Sequence, residues 1–330
     1  MKNTGKNQQR IVWIYSIAVL LWFACWLLLG DANWWLVLLN RAVPFIFIPA
    51  LLLGGWVVFV RQPKFILLLL LPAILFALTY YPYLFPKFTK STEGTTTLTI
   101  MTYNVLFSNY DYDAVADVIL TYKPDLVALQ EVQPEMMSEL EERLGYEYPY
   151  SLMGTQNDYG TTAIFSRHPV TDAYVLDLQA DRPAVIVKTK IDDQEVTFVS
   201  VHLLAYNLWW TKPKDIPTTV MERTFNQNRQ AYMVLGESRT QKGIVLIGCD
   251  CNSYETSSSY RILSSRLKNS AREVGWVLGG DVLPGTKQDI YLQHIDYVWY
   301  RGAINPVNVF KIADSGGSDH LPVLAVFEFK

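Results

Sequence analysis

Residues 124–132 read Pro-Asp-Leu-Val-Ala-Leu-Gln-Glu-Val. Leu126 to Leu129 is a short continuous apolar run, as in a strand covered on both faces. It runs out into two polar residues, Gln130 and Glu131. In front of it, Lys123-Pro-Asp125 stops a segment from Asp113 to Tyr122 that has helical spacing. Behind it, Pro134 opens a second helical segment that reaches Leu144. Further back, Leu98 to Tyr103 alternates as a strand and ends on Asn104. Further forward, residues 162–165, 184–188, 196–201, 243–247, 295–300 and 324–329 read as strands. Many strands with few helices between them predict two packed mixed sheets flanked by helices, a four-layer α/β/β/α sandwich spanning residues 97–330.

Polar clusters sit where these strands run out into loops, the usual place for a site. Asn104 ends the first strand and Glu131 the second; His202 follows Val201; Asp250 and Asn252 follow Ile247; Asp319 and His320 precede the last strand. Singly, each has an ordinary reading as a turn residue, a helix cap or a structural histidine. Together they supply three carboxylates, two carboxamides and two imidazoles. An oxygen-rich set with few sulfurs suits Mg²⁺ or Mn²⁺ better than Zn²⁺. A hard dication beside two histidines suits attack of water at phosphorus. The chain has neither a Gly-rich phosphate loop nor a GxSxG elbow, so nucleotide-driven transfer and serine hydrolysis find no support.

The order and local sequence of these clusters resemble the endonuclease/exonuclease/phosphatase superfamily, the deoxyribonuclease-I-like fold. The resemblance rests on Thr102-Tyr-Asn-Val105, Pro124 to Val132, Gly160-Thr-Thr-Ala-Ile-Phe-Ser-Arg-His-Pro-Val170, Ser200-Val-His-Leu203, Ile295-Asp-Tyr-Val298 and Ser318-Asp-His320. It covers roughly residues 98–328. One motif departs: where the family usually has Gly-Asp-Phe-Asn, this chain has Cys249-Asp-Cys-Asn252, with Asp250 and Asn252 kept. The resemblance implies a metal held by Glu131, helped by Asn104 and Asp319. It implies that Asp250 and Asn252 handle the attacking water and the phosphate, and that His202 and His320 serve in proton transfer or transition-state contact. Asp296 would orient His320. Tyr159 is a plausible neighbour, whereas Arg167 reads better as a turn-stabilising ion pair.

The first 86 residues read as a different kind of chain. Hydrophobic residues make up 50% of the 330, and the excess is concentrated before residue 86. Three uncharged stretches, about 11–30, 44–60 and 65–84, predict an all-α transmembrane anchor of about three helices. Trp and Tyr cluster near their ends, as in interfacial belts. A buried core helix or a signal peptide is the ordinary alternative for any one of them. Lys2, Lys6 and Arg10 before the first stretch, and Arg61 and Lys64 before the third, predict a cytoplasmic N-terminus and an extracytoplasmic catalytic domain. Lys87 and Lys90 argue weakly the other way. Residues 87–96 read as a polar linker.

Charge bears on the substrate. Subtracting the eight basic and two acidic residues of 1–96 from the chain totals of 28 and 31 leaves 20 basic and 29 acidic, a net charge of −9 for the remainder. Proteins that grip long nucleic acid carry a basic stripe. A lipid head group or small phosphate ester is therefore the expected substrate, and long nucleic acid the rival. A non-catalytic tethered binding module is the alternative from another class. Leu203 to Thr224 reads as a long segment after His202, with Trp209 and Trp210 either lying in a lipid interface or packing under the loop. No protein partner is inferable. The three cysteines predict no disulfide framework, and Cys249 and Cys251, two apart on one strand face, predict no bridge.

Overall fold

The computed structural model describes residues 2–59, 65–85, 87, 95–155, 160–275 and 294–330. Two six-stranded mixed sheets pack face to face. The first has the order β11-β12-β1-β2-β4-β3 and the second β5-β6-β7-β8-β10-β9. In chain order the strands of the first are β1 (Thr97–Asn104), β2 (Leu126–Val132), β3 (Tyr150–Met153), β4 (Thr161–Ser166), β11 (Ile304–Lys311) and β12 (Val323–Phe329). Those of the second are β5 (Val170–Asp177), β6 (Pro183–Ile191), β7 (Gln194–His202), β8 (Ile244–Asp250), β9 (Lys268–Asn269) and β10 (Asp296–Arg301). Helices α6 (Tyr112–Tyr122) and α7 (Pro134–Leu144) cover the outer face of the first sheet. Helices α8 (Ile216–Thr240) and α9 (Ser258–Ser264) cover the second, and a short helix, α10 (Ser270–Val274), follows.

Strand alternation builds these layers. In β1, Leu98 and Ile100 enter the core between the sheets, whereas Met101 and Tyr103 pack under α6 and α7. In β8, Ile244 and Leu246 face the other sheet, whereas Val245, Ile247 and Cys249 pack under α8 and α9. Asp111 caps α6 by accepting a hydrogen bond from Ala114 N at 3.1 Å, and Lys123 ends the helix in the left-handed conformation (φ 45°).

Among the described residues of the first 85 are five helices: α1 (Lys2–Leu29), α2 (Trp34–Arg41), α3 (Val43–Ile46), α4 (Ile48–Phe59) and α5 (Ile66–Leu84). Among the described residues two spans, Gln9–Leu29 in α1 and Ile66–Tyr83 in α5, are long and apolar enough to cross a membrane, and only 22% of each is buried. The middle stretch is not one helix. It breaks at Phe47, just after Ala42 has parted α3 from α2, and α4 is described over 12 residues, about 18 Å at 1.5 Å per residue. The C-terminal ends of α1 and α5 both meet the sandwich: Trp26 Nε1 donates to Thr256 O at 2.8 Å, and Asn269 Nδ2 donates to the Tyr83 hydroxyl at 3.1 Å. At the opposite end, Val12, Val57, Phe65 and Leu69 form their own cluster. Arg61, Lys64, Lys90 and most of the expected linker lie outside the described residues.

Candidate active site

The inner faces of five strands carry the same succession toward one edge of the sandwich. β1 gives Leu98, Ile100, Thr102, Asn104; β2 gives Leu126, Ala128, Gln130; β7 gives Val196, Phe198, Ser200, His202; β8 gives Ile244, Leu246, Gly248, Asp250. β10, running antiparallel, starts that edge with Asp296. Apolar residues form the core, a small polar layer closes it, and the chemistry-bearing residues come last. Parallel pairing aligns the ends: His202 lies opposite Asp250 and Asn104 opposite Gln130. Within the polar layer Gln130 Nε2 reaches the Ser200 hydroxyl at 3.3 Å across the two sheets, and Ser200 Oγ donates to Leu129 O at 2.8 Å. Gly248 keeps the sheets close here, since a Cβ on it would lie 2.5 Å from Ala128 Cβ.

Glu131 breaks the alternation. One residue beyond Gln130, it should face the helices. A bulge in the β2–β4 pairing between Leu129 and Val132 shifts the register, and Glu131 takes a left-handed φ of 62°. Its carboxylate thereby turns into the site, where Oε1 accepts from Asn104 Nδ2 at 3.2 Å and Oε2 from Phe107 N at 3.1 Å. Such bulges re-aim side chains at functional edges. Gly160 makes room for it: its φ is +74°, and a Cβ there would sit 2.4 Å from the Glu131 carbonyl carbon.

Asp250 is the hub. Its Oδ2 accepts from Asn104 Nδ2 at 2.9 Å and its Oδ1 from Asn252 N at 3.1 Å. His202 Nε2 lies 3.4 Å and His320 Nε2 3.9 Å from Oδ2. The two imidazoles have different partners behind them. His320 Nδ1 is 2.8 Å from Asp296 Oδ2; His202 Nδ1 is 2.9 Å from Arg182 Nη1. A guanidinium only donates, so His202 Nδ1 accepts and the proton of its neutral ring sits on Nε2. Burial, then Arg182 and His320, push His202 well below its ordinary pKa. Burial alone would lower His320 too, but Asp296, Asp250 and Asp319 together outweigh it and hold that imidazole well above its ordinary value. Ser318 ties the last motif to the first: its hydroxyl donates to Asn104 O at 2.6 Å and accepts from His320 N at 3.0 Å.

The sequence matches the endonuclease/exonuclease/phosphatase family over residues 101–320, two thirds of its length. The chain belongs to the endonuclease/exonuclease/phosphatase family. Members of this family are phosphoesterase hydrolases. A search of curated proteins by sequence finds no match. Among solved structures, a humanized D. rerio TDP2 superposes with a TM-score of 0.58 at 18% identity, covering 70% of this chain and 99% of that one. The mannosyl-6-phosphatase of Bacteroides thetaiotaomicron gives 0.58 at 16% identity, covering 70% and 100%. An endonuclease/exonuclease/phosphatase from Bacteroides vulgatus gives 0.57 at 18%, covering 71% and 100%. At these identities the likeness is one of fold.

The donor set fits the divalent cation that such family enzymes use. Burial raises the pKa of both Glu131 and Asp319, and the charge of Asp250 adds to each shift. Asp319 Oδ1 is buried with no hydrogen-bond partner among the described residues. A crowded, desolvated group of carboxylate oxygens is what a hard dication stabilises. Asp250, Asp296 and His320 also offer ligand atoms within 4.8 Å of one another, but the His320–Asp296 bond already occupies one atom of each. Asn104 faces the carboxylates as a donor, through Nδ2, while its Oδ1 accepts from Leu106 N at 3.0 Å.

The other expected residues divide. Arg167 does form the turn-stabilising ion pair, with Glu147 at 3.3 Å. Tyr159 lies outside the described residues. Trp209 and Trp210 are 89% and 95% exposed, so they do not pack under their loop. The segment after His202 is shorter than expected, because α8 begins at Ile216. Cys249 and Cys251 are joined by a disulfide, contrary to expectation. The strand ends at Asp250, where the chain turns and the two flanking Cα atoms close to 5.1 Å, within disulfide range. Arg182 was missed: as a lone cation before a strand, in Asp181-Arg182-Pro183, it carries no distinctive pattern.

Proposed function

We propose that this chain is a membrane-bound, Mg²⁺- or Mn²⁺-dependent phosphoesterase. It hydrolyses a phosphodiester or phosphomonoester by attack of water at phosphorus, on a lipid head group or small phosphate ester at the outer face of the membrane. The observation that carries the reading is the meeting of Glu131, Asn104, His202, Asp250 and the Asp296–His320 pair at one sandwich edge. Glu131 and Asp319, with Asn104 beside them, would hold the cation. When bound, it supplies Lewis-acid polarisation of a phosphoryl oxygen. Asp250, fixed by Asn104 and by Asn252 N, is placed to accept the proton of the attacking water. His320, kept charged by Asp296, donates to a phosphoryl oxygen. His202, neutral with its proton on Nε2, is a second donor toward the charge that develops at phosphorus.

Three features support the membrane setting. Since α1 and α5 both end at the sandwich, the chain between them returns to the far side, which favours three crossings with α3 and α4 as the return path. Lys2, Lys6 and Arg10 begin α1, and Arg61 and Lys64 precede α5, which favours a cytoplasmic far side. A disulfide beside Asp250 favours an oxidising, extracytoplasmic compartment for the sandwich. Trp209 and Trp210 stand on a single 3₁₀ turn, Leu208–Trp210. Leu208 packs with Val37 and Leu38 of α2, so this turn shares the side of the domain where α1 ends. Lipid-interface contact is thus the favoured role for the pair.

The test uses the full chain in nanodiscs with Mg²⁺, Mn²⁺ or EDTA. The substrates are bis-p-nitrophenyl phosphate, p-nitrophenyl phosphate, sphingomyelin vesicles, and plasmid and single-stranded DNA. Metal-dependent turnover of the small or lipid esters is expected. Turnover of DNA alone would establish the nuclease reading, and folded protein that turns over none would leave a binding module. Replacing Trp209 and Trp210 with Ala is expected to slow vesicle hydrolysis several-fold and spare the soluble esters; equal loss on both would remove the lipid role.

A further inference from the structure

We propose that Arg41, which lies in the N-terminal helical segment and not in the sandwich, is a positioning residue of the active site. The inference rests on the phosphoesterase reading above. The elbow between α1 and α2 is a polar knot set against the segment that follows Asp250. Asp31 Oδ2 accepts from Ser258 N at 2.6 Å, and its Oδ1 accepts from Asn40 Nδ2 at 2.7 Å. Asn40 is fully buried. Its Nδ2 also donates to Gly30 O at 3.1 Å, its Oδ1 accepts from Trp22 Nε1 at 3.1 Å, and its carbonyl accepts from the Thr256 hydroxyl at 2.5 Å. Together with the bond from Trp26 to Thr256 O, these contacts fix residues 256–258 against the anchor.

Arg41 extends this grip to the site itself. Its Nη1 donates to Asn252 O at 3.0 Å. Its guanidinium lies 4.0 Å from the centre of the Tyr206 ring and 5.0 Å from that of Tyr254. Tyr206 is four residues beyond His202, and Asn252 is two beyond Asp250. One side chain therefore pins together the loops that leave the two neighbouring catalytic strands, β7 and β8. The pinned residue is under strain, because Asn252 holds a left-handed φ of 45° while its N–H orients Asp250. A strained residue keeps such a conformation only where its surroundings impose it. Within the sandwich, Gln227 Nε2 also donates to Asn252 O at 2.9 Å; Arg41 is the second donor and comes from the anchor. Arg suits the role because one planar cation both donates and stacks.

The test compares full-length wild type, Arg41→Met and Arg41→Lys in nanodiscs on bis-p-nitrophenyl phosphate with Mg²⁺, with hydrogen exchange measured on the same samples. For Arg41→Met, kcat is expected to fall about tenfold with KM within about twofold, the pattern of misplaced catalytic groups. Amide exchange across residues 251–258 should quicken. Arg41→Lys, which keeps the charge over Tyr206 and one donor, should recover part of both. Should Arg41→Met not fold, Asp31→Ala at the same elbow is expected to show the same exchange pattern. Unchanged exchange in 251–258, or an unchanged kcat in an active enzyme, overturns the inference. An inactive wild type would instead overturn the phosphoesterase reading, and the exchange data would still decide the role of Arg41.

Discussion

His202 and His320 face the same carboxylate oxygen from two sides of the site, and both are buried. They differ in what stands behind them. A carboxylate, Asp296, backs His320 and, with Asp250 and Asp319, holds it a cation against burial; burial keeps His202 neutral, and the guanidinium of Arg182 behind it pushes the same way. The same side chain thus supplies two different reagents around Asp250, and the residue one layer further out sets which. Pairs of titratable groups driven apart in this way are how one site holds a charged donor and a neutral one at a single pH.

The largest expected effect comes from removing the charged member. His320→Ala should lower kcat/KM by about 10³-fold or more, since it deletes a cation aimed at developing negative charge. His202→Ala, which deletes a neutral donor, should cost about 10²-fold. Steady-state kinetics on a soluble ester checks both, and a reversed order would break the comparison. Next in size is Asp296→Asn, expected to cost about 10- to 100-fold. Asp296 raises the pKa of His320 against the opposing effect of burial, so without its charge the pKa falls. The imidazole then loses its proton at lower pH, and the alkaline limb of the rate profile moves to lower pH with it. NMR titration of the ring and the pH–rate profile should shift together. In the His320→Ala background the same substitution should add little, because both act through one group.

Much of this site is legible in the sequence because strand alternation is simple. Asn104, His202 and Asp250 fall on inner faces by counting in twos from Leu98, Val196 and Ile244. Glu131 does not: by the same count it points at the helices, and only the bulge opposite Gly160 brings it inside. α8 also escaped notice, because its buried side includes Thr224, Gln227 and Gln230, and polar residues at core positions erase the apolar stripe that marks a helix. Gln227 is polar because it holds the carbonyls of Leu204 and Asn252. The disulfide was hidden for a related reason. Regular strand geometry keeps residues two apart from bridging, and the departure from it begins at the very residue, Asp250, where the chain turns for function. Arg182 and Arg41 were invisible because each acts on residues distant in the sequence, which no local pattern announces.

The smallest effect should come from Arg182, and it can be divided. Arg182 does two things to His202: it fixes the tautomer by donating to Nδ1, and it lowers the pKa by its charge. Arg182→Gln keeps a donor and removes the charge; Arg182→Leu removes both. If the tautomer matters more, Arg182→Gln should stay within about fivefold of wild type while Arg182→Leu falls about tenfold. In both, the His202 titration should move up, since a cation that opposed protonation is gone. It should stay low all the same, because burial, the larger cause, remains. NMR of the imidazole nitrogens reads tautomer and titration on the same sample. Equal losses for Arg182→Gln and Arg182→Leu would mean that charge, not tautomer, is what Arg182 contributes. The two histidines would then differ only in the sign of the field behind them.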